Sequence, residues 1–368
     1  MRRAGPAIGI ALATLASACG GGAGGAPVAA PAYLDPTVFE ARSEGSGAFG
    51  VWTLDGRGRP AYDYTLDQST DDRALWANSR GRARRTHWHL VGNDRVNALA
   101  TNDGTVEVVD GRRTTEYWNR VDEGSGNYGG GFGYLVDGAR VACTHWADRP
   151  LDAPLDRRFE IGGFTKRARF DRWEVVERTR APFGTDAVLL REIAITNRGD
   201  DARDVQWVEF WDWNLHGIQA TPFAAGPLLD ATEASRAAFN GSFRLRSAYD
   251  EGNAALRVEA SLAPGVAAPP RDQPADRNYY PAPLFLASLD AAPFAHDADQ
   301  AAFFGDGGRA RPEAIVKGRG STDVADLDAR GGPAVLALRV PVMLAPGETK
   351  RIRFLFGRPD DVAEIPAL

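Results

Sequence analysis

The amino-acid sequence predicts an all-β protein built from large, stacked antiparallel sheets. From residue 47 onward, the chain consists of short apolar or alternating runs that are separated by Gly, Asp, Asn and Pro. Almost no stretch repeats its apolar residues every 3.6 positions, which is the period of an amphipathic helix. Strands that follow one another at this spacing, without helices between them, are typical of a β-sandwich.

Composition and charge exclude several classes of protein. The chain has 368 residues, of which 43% are hydrophobic and 25% are charged, and its formal net charge is -6. These values are those of a folded domain and differ from those of a disordered chain. The net acidic balance provides no concentrated positive surface for phosphate groups, so nucleic acid is not expected as a partner.

Residues 1–18 are predicted to be a lipoprotein-type signal peptide. Two arginines precede an apolar run, AIGIALATLA, which is too short to span a bilayer as a helix of about 20 residues. The sequence LASAC at residues 15–19 resembles a bacterial lipobox and makes Cys19 the expected lipid attachment site. Gly20 lies where a lipoprotein of the inner membrane often carries Asp, so it favours the outer membrane. The exported protein is expected in the outer membrane or the periplasm. An ordinary signal peptide that leaves Cys19 unmodified is the alternative.

A flexible tether is predicted to follow at residues 19–45. It begins with CGGGAGGAPVAAP, a sequence of small residues and proline that forms no packed core. The sandwich is then expected over residues 46–358, with a C-terminal tail at 359–368. If Cys19 carries lipid, Cys143 has no intramolecular partner, so the fold depends on core burial and not on a disulfide.

Three pairs of alternating runs, each joined by a short turn, are predicted to be β-hairpins. The pairs are 187–196 with 205–213, 243–249 with 254–262, and 336–342 with 352–356. Residues 264–283 contain six prolines and are predicted to form a long loop. The run GGGFG at 129–133 is not followed by a helical pattern, so it is predicted to be a loop where the backbone closely approaches another group.

The aromatic strand at 207–213 is the first candidate site. Alternation along a strand places Trp207, Glu209, Trp211 and Trp213 on the same face. One interpretation is a packed aromatic core, because indole rings bury a large area. The other is a sugar platform, on which a pyranose ring stacks against Trp211 and Trp213 while Glu209 and Asn214 bind its hydroxyls. An unpaired Glu is uncommon in a core, which favours the platform.

The second candidate site lies at residues 87–94. His87 and His89 flank Trp88 and are followed by a turn that contains Asn93 and Asp94. Alternation places both imidazoles on one face of a strand, a spacing that is compatible with a metal site. No third ligand lies nearby in the sequence, so neither a metal nor another cofactor is predicted. His87, His89, Asn93 and Asp94 are therefore candidate carbohydrate contacts.

Several phrases of the chain are similar to the N-terminal sandwich domain of cellobiose-phosphorylase-like proteins, which are glycoside phosphorylases grouped with cyclic β-1,2-glucan synthetases. The similar stretches are 49–68 (FGVWTLDGRGRPAYDYTLDQ), 87–103 (HWHLVGNDRVNALATND), 129–135, 181–214 and 344–357. Together they cover most of residues 49–357. The resemblance implies a large antiparallel β-supersandwich of the galactose-mutarotase-like type, in agreement with the strand pattern.

The resemblance implies a role with sugars but assigns no catalytic residue. In that family, the proton donor and the phosphate-binding groups belong to an α/α-barrel that follows the sandwich, and no position of this chain corresponds to the barrel motifs. The chain is therefore expected to be a surface-tethered carbohydrate-binding or scaffold protein for a β-glucan-like oligo- or polysaccharide. It is expected to be non-catalytic by itself.

Two enzymatic alternatives remain open. One is the sandwich half of a split glycoside phosphorylase or hydrolase, whose α/α-barrel is a separate chain. The other is a mutarotase-like isomerase, in which His87 or His89 would act with Glu209 as the acid and base. Because the family sandwich also supports dimer contacts, a homodimer is among the partners that the resemblance implies.

Overall fold

A computed structural model describes most of the chain from residue 50 to its last residue. The described ranges are 50–64, 87–110, 116–119, 121–122, 126–150, 153–213, 216–217, 241–266, 283–328 and 334–368. Their strands pair antiparallel, which confirms the all-β prediction. The predicted signal peptide, the predicted tether with Cys19, and Asn214 lie outside these ranges.

The described elements are mostly short strands. In chain order the strands are β1 (Gly50–Leu54), β2 (Pro60–Tyr64), β3 (Trp88–Gly92), β4 (Val96–Thr101), β5 (Val106–Asp110), β6 (Glu116–Asn119), β7 (Val121–Asp122), β8 (Asn127–Tyr128), β9 (Gly130–Asp137), β10 (Arg140–Cys143), β11 (Leu155–Glu160), β12 (Gly163–Phe170), β13 (Trp173–Arg180), β14 (Val188–Asn197), β15 (Arg203–Trp213), β16 (His216–Gly217), β17 (Phe243–Asp250), β18 (Ala255–Leu262), β19 (Leu284–Ser288), β20 (Ala295–Asp299), β21 (Leu327–Asp328), β22 (Ala334–Leu344) and β23 (Thr349–Gly357). The helices are α1 (Gln300–Phe304), α2 (Glu313–Val316) and three 3-10 turns at Trp146–Asp148, Gly305–Gly307 and Val362–Glu364.

Three large sheets form the sandwich, and β7 pairs with β8 in a separate two-stranded sheet. Sheet A has eleven strands in the order β1-β2-β11-β12-β13-β14-β23-β19-β18-β17-β21. Sheet B has the order β10-β9-β15-β22-β20, and sheet C has the order β16-β6-β5-β4-β3. Phe356 of sheet A contacts Trp211 of sheet B and Trp118 of sheet C, with ring centroids 4.0 and 5.7 Å away. Sheets B and C therefore pack on the same face of sheet A and enclose the main core with it.

Only one of the three predicted hairpins is a hairpin. β17 and β18 pair from Phe243 with Leu262 to Asp250 with Ala255, as predicted. In contrast, β14 and β23 belong to sheet A while β15 and β22 belong to sheet B. The turns after β14 and β22 thus carry the chain across the sandwich. Each of these strands has at least one buried face in either arrangement, so alternation alone does not distinguish a hairpin from a crossing between sheets about 10 Å apart.

The glycine run predicted as a loop is instead the start of β9, an inner strand of sheet B. Its predicted close approach is confirmed, because a Cβ at Gly130 would collide with the Trp211 ring and a Cβ at Gly133 with the Trp207 ring. The missing side chains leave the space that the indoles of β15 occupy.

Buried charges join sheets A and B through the core. Arg191 donates from Nε to Oε1 of Glu209 at 2.8 Å and from Nη2 to Oε2 of Glu177 at 2.5 Å. Lys166 lies with its Nζ 3.1 Å from Oε2 of Glu177. All four side chains are at most 1% exposed. Burial raises the pKa of Glu209 despite the opposing effect of Arg191, whereas Lys166 and Arg191 outweigh burial and lower the pKa of Glu177.

Short helices and the end of the chain cover the outer faces of sheets B and A. Phe303 and Phe304 of α1, together with Ile315 of α2, pack on the outward side chains of sheet B. Asp212 lies on β15 and is buried, and burial raises its pKa to about 8. The backbone N–H groups of Tyr128 and Gly129 donate to its carboxylate and oppose this effect.

The predicted tail at 359–368 packs against sheet A. Ile365 contacts the outer-face cluster that contains Leu355 and Phe285, and Asp360 accepts a hydrogen bond from Arg95 at 2.6 Å. Cys143 is free and buried, and burial raises the pKa of its thiol to about 12. Within the described ranges, no helix is both long enough and apolar enough to cross a membrane.

Candidate functional site

The aromatic strand β15 belongs to the core, so the predicted sugar platform on it is wrong. Glu209 and Trp211 are 0% exposed and Trp213 is 3% exposed. Glu209 accepts hydrogen bonds from the indoles of Trp207 at 3.1 Å and Trp211 at 3.0 Å, in addition to its ion pair with Arg191. These partners satisfy the carboxylate and explain how a Glu is accommodated between tryptophans.

His87 and His89 point toward sheet A. His87 contacts the hydroxyl of Tyr64 through Nδ1 at 3.0 Å, and His89 contacts the carbonyl oxygen of Glu160 through Nε2 at 2.7 Å. The structure therefore does not bring either imidazole to Glu209, which lies in sheet B beside Arg191. The acid and base pair required by the mutarotase-like alternative is not formed.

Asn93 holds the β3–β4 turn against a neighbouring loop. Its Nδ2 donates to the carbonyl oxygens of Pro182 and Asp186, both at 2.9 Å. Its Oδ1 accepts from the backbone N–H groups of Arg95 and Val96 at 2.9 and 2.8 Å. These bonds use both amide hydrogens and both acceptor positions, so the predicted role of Asn93 as a sugar contact is wrong. The side chain of Asp94 is exposed, and its predicted role stays a prediction.

The same alternation that turns the two histidines inward turns Trp88 outward. Trp88 is 63% exposed and Leu90, two residues along the same strand, is 50% exposed. β3 pairs with β4 so that Trp88 lies opposite Thr101 and Leu90 opposite Leu99. Because opposite residues of neighbouring strands point to the same side of a sheet, these side chains form one surface.

We call this surface the Trp88 face. Its exposed or half-buried side chains, identified by cross-strand register, are Trp88, Leu90, Asn97, Leu99, Glu107, Val109 and Tyr117. The opposite side of the same strands supplies Val91, Val96 and Ala98 to the main core. Sheet C is therefore apolar on both sides, which is unusual for a sheet whose outer side contacts solvent.

Two polar side chains lie among the apolar residues of the Trp88 face. Asn97 is half-buried and makes no hydrogen bond with another described residue, so its amide is available to a ligand. Glu107 accepts a hydrogen bond from the backbone N–H of Val121 at 2.7 Å through one carboxylate oxygen, which fixes its position. An exposed indole beside an available amide and a fixed carboxylate can stack on the apolar side of a ring and bind polar groups at the edge of that ring.

Sequence reasoning missed Trp88 because it considered only the histidines on either side of it. The signal was available, since alternation around His87 and His89 assigns Trp88 to the opposite face. Which of the two faces meets solvent depended on sheet A, against which the histidines pack.

The family model for the supersandwich domain of glycosyl hydrolase 94 matches residues 183–368, which is half of the chain. No curated protein matches the chain. The matched half begins before β14 and includes Arg191, Glu209 and Trp211, whereas the Trp88 face precedes it.

Solved structures with similarity to the chain include enzymes that act on sugars. A polysaccharide lyase shares 13% identity at a TM-score of 0.38, with 76% of this chain and 33% of the lyase covered. A galactose mutarotase related enzyme from Lactobacillus acidophilus shares 8% identity at a TM-score of 0.38, with 74% of this chain and 97% of the enzyme covered.

Heparan sulfate lyase HepC from Pedobacter heparinus shares 8% identity at a TM-score of 0.33, with 79% of this chain and 39% of the lyase covered. This chain thus spans about a third of the polysaccharide lyase and about two fifths of HepC. The family match agrees with the antiparallel sheets and with the predicted resemblance, and the chain belongs to the glycosyl hydrolase 94 supersandwich domain family.

Proposed function

We propose that this glycoside-phosphorylase-related domain binds carbohydrate and is non-catalytic by itself, with the Trp88 face as its binding surface. The observation that carries the proposal is the 63% exposure of Trp88 within an apolar sheet face. Exposed apolar surface of this kind on a soluble domain marks an interaction site.

The chemistry of the Trp88 face favours a sugar chain as its ligand. One side of a pyranose ring presents C–H groups that pack on indole, while its hydroxyls extend from the ring edge. Trp88 and Tyr117 provide aromatic surface, and Asn97 and Glu107 provide polar groups beside it. Four adjacent strands, at a spacing of about 4.8 Å, make the surface broad. An extended β-glucan-like chain fits such a surface better than a branched or compact sugar.

Trp88→Ala is expected to weaken binding of β-glucan oligosaccharides at least tenfold, because it removes the largest exposed ring of the face. Tenfold corresponds to about 1.4 kcal/mol. Isothermal titration calorimetry on the folded protein measures the effect. Met343→Ala is the matched control, because Met343 is also 63% exposed but lies on β22 of sheet B.

Two results would contradict the proposal. The first is equal binding by the wild-type and Trp88→Ala proteins. The second is that the wild-type protein binds no glycan of an array. Circular dichroism must show that this protein has a folded β-structure. Trp88→Phe should retain part of the affinity if stacking is the cause.

A protein partner is the second candidate, and the aliphatic residues of the Trp88 face favour it. Leu90, Leu99 and Val109 offer no hydrogen bond to a sugar and are typical of a surface that packs against another protein. The partner would be a separate α/α-barrel chain of a split glycoside phosphorylase or hydrolase, or a second copy of this chain. A dimer in light scattering of the purified protein would indicate a second copy of this chain. An adjacent reading frame that encodes an α/α-barrel would indicate the split enzyme.

We also propose that the protein is exported and lipid-anchored to the bacterial cell envelope through Cys19. The support is the sequence LASAC after a short apolar run. Cys19→Ser is expected to move the protein from the detergent phase to the aqueous phase in a phase-partition assay, and to remove the mass of the lipid from the mature N-terminus. Cys143→Ser is the control, because Cys143 is buried in the sandwich. Unchanged partition of Cys19→Ser would refute the anchor.

A further inference from the structure

A cleft lies at the edge of the sandwich, between the β9–β10 turn of sheet B and the β12–β13 turn of sheet A. Its volume is about 290 Å³, and its apolar lining includes Leu135, Ala142, Phe170 and Trp173. It shares no residue with the Trp88 face. We call it the edge cleft.

Four charged side chains from three separate connections surround the edge cleft. Asp137 and Arg140 flank the β9–β10 turn, Asp171 belongs to the β12–β13 turn, and Arg311 lies between α1 and α2. Loops from a rigid scaffold that meet at one cavity are a common source of binding residues.

The carboxylates of the edge cleft have partners, whereas one guanidinium does not. Asp137 accepts a hydrogen bond from the indole Nε1 of Trp173 at 3.2 Å. Asp171 accepts one from Nη1 of Arg140 at 2.5 Å, and both members of this pair are more than half exposed. Arg311 is exposed and forms no ion pair or hydrogen bond within the described ranges. The cleft thus has a guanidinium available for an anionic group of a ligand.

The tight turn between β12 and β13 determines where Asp171 lies. Its φ of +49° is in the left-handed region, which costs energy for a residue with a side chain. Asp tolerates this conformation better than most residues. The two-residue turn between the paired residues Phe170 and Trp173 thereby places the Asp171 carboxylate against Arg140 at the cleft.

We propose that the edge cleft binds a pyranose unit that carries a carboxylate, that is, a uronic acid residue. Arg311 and Arg140 match the planar carboxylate with forked N–H donors. Phe170 and Trp173, which are 8% and 2% exposed, provide a narrow apolar wall for the C–H side of the ring, and the free acceptor positions of Asp137 receive hydroxyl hydrogens.

Other anionic ligands fit the edge cleft less well. A phosphate carries a charge of about -1.5 to -2 near neutral pH. The two carboxylates of the cleft repel such a dianion more strongly than they repel the single charge of a uronate. In addition, a small inorganic anion has no apolar surface that could pack against the apolar wall. The combination of one available cation, two acceptors and an aromatic wall therefore favours the uronate.

The test is calorimetric titration of the whole chain with D-glucuronate, D-glucose and inorganic phosphate. We expect glucuronate to bind, glucose and phosphate to bind at least tenfold more weakly, and Arg311→Ala to weaken glucuronate at least tenfold. Arg246→Ala is the control, because Arg246 is also exposed but lies on β17, away from the cleft. Arg311→Lys should retain the charge but lose part of the affinity.

Three outcomes overturn the assignment: no glucuronate binding by folded protein, equal binding of glucose or phosphate, and equal glucuronate affinity in Arg311→Ala and wild type. Trp88→Ala separates this proposal from the one for the Trp88 face. It should leave glucuronate binding unchanged, while Arg311→Ala should leave β-glucan binding unchanged.

Discussion

Arg191→Met is expected to lower the free energy of unfolding by about 3–5 kcal/mol, because it leaves a buried charge without its partner. Arg191 is 0% exposed and binds both Glu177 and Glu209. Without it, Glu177 keeps Lys166, but Glu209 retains only the indole N–H groups as donors. Urea unfolding, followed by tryptophan fluorescence, measures the loss.

Arg178→Met is the matched control for Arg191→Met. Arg178 lies on the neighbouring strand β13 and pairs with Glu192 at 3.3 Å, but its side chain is 40% exposed. An exposed ion pair of this type contributes about 0–1 kcal/mol, so the control should remain close to wild type. If both variants lost the same free energy of unfolding, the buried ion pairs of Arg191 would contribute no more to stability than the exposed pair of Arg178.

Trp211→Ala is expected to destabilise the fold by about 3–5 kcal/mol, because it opens a cavity in a closely packed core. The Trp211 ring stacks on Phe356 with a centroid distance of 4.0 Å and an interplanar angle of 11°. Its indole also donates to Glu209 at 3.0 Å, so the substitution removes a hydrogen bond from a buried carboxylate. The midpoint of urea unfolding should fall accordingly.

Trp88→Ala provides the comparison for Trp211→Ala with the same change of side chain. Because Trp88 is 63% exposed, its removal opens no core cavity, and we expect a loss of less than about 1 kcal/mol. Trp211→Ala should therefore lower the stability of the fold, whereas Trp88→Ala should lower the affinity for the oligosaccharide. A large loss for Trp88→Ala, or a negligible one for Trp211→Ala, would contradict the assignment of Trp211 to the core and Trp88 to the surface.

Family membership and the proposed binding surfaces depend on different parts of the chain. The family match contains Arg191, Glu209 and Trp211, which connect sheets A and B. The Trp88 face and most of the edge cleft precede residue 183. Membership therefore supports the sandwich and its relation to glycoside phosphorylases. The ligand proposals depend on exposure, charge and shape mainly in the other half, and Arg311 is the one residue on which they depend within the matched half.

Much of the fold could be predicted from sequence alone. The alternation of apolar residues identified strands, because a strand with one buried face needs a period of two. The resemblance in the stretches from 49 to 357 predicted the supersandwich, which the family match confirms. The close approach at GGGFG was also predictable, since glycine in a strand often marks a place where another group comes near.

The tertiary structure decided which strands pair and which faces meet solvent. The turns after β14 and β22 cross between sheets, because the buried faces of the strands that they join pack toward each other across the core. The same packing buried Trp211 and Glu209 beside Arg191 and left Trp88 exposed. Periodicity specifies that a strand has two different faces, but only the neighbouring sheet determines which of them is covered. The sequence by itself therefore determined the strands and the family, and the arrangement of the sheets determined which side chains are buried and which are exposed.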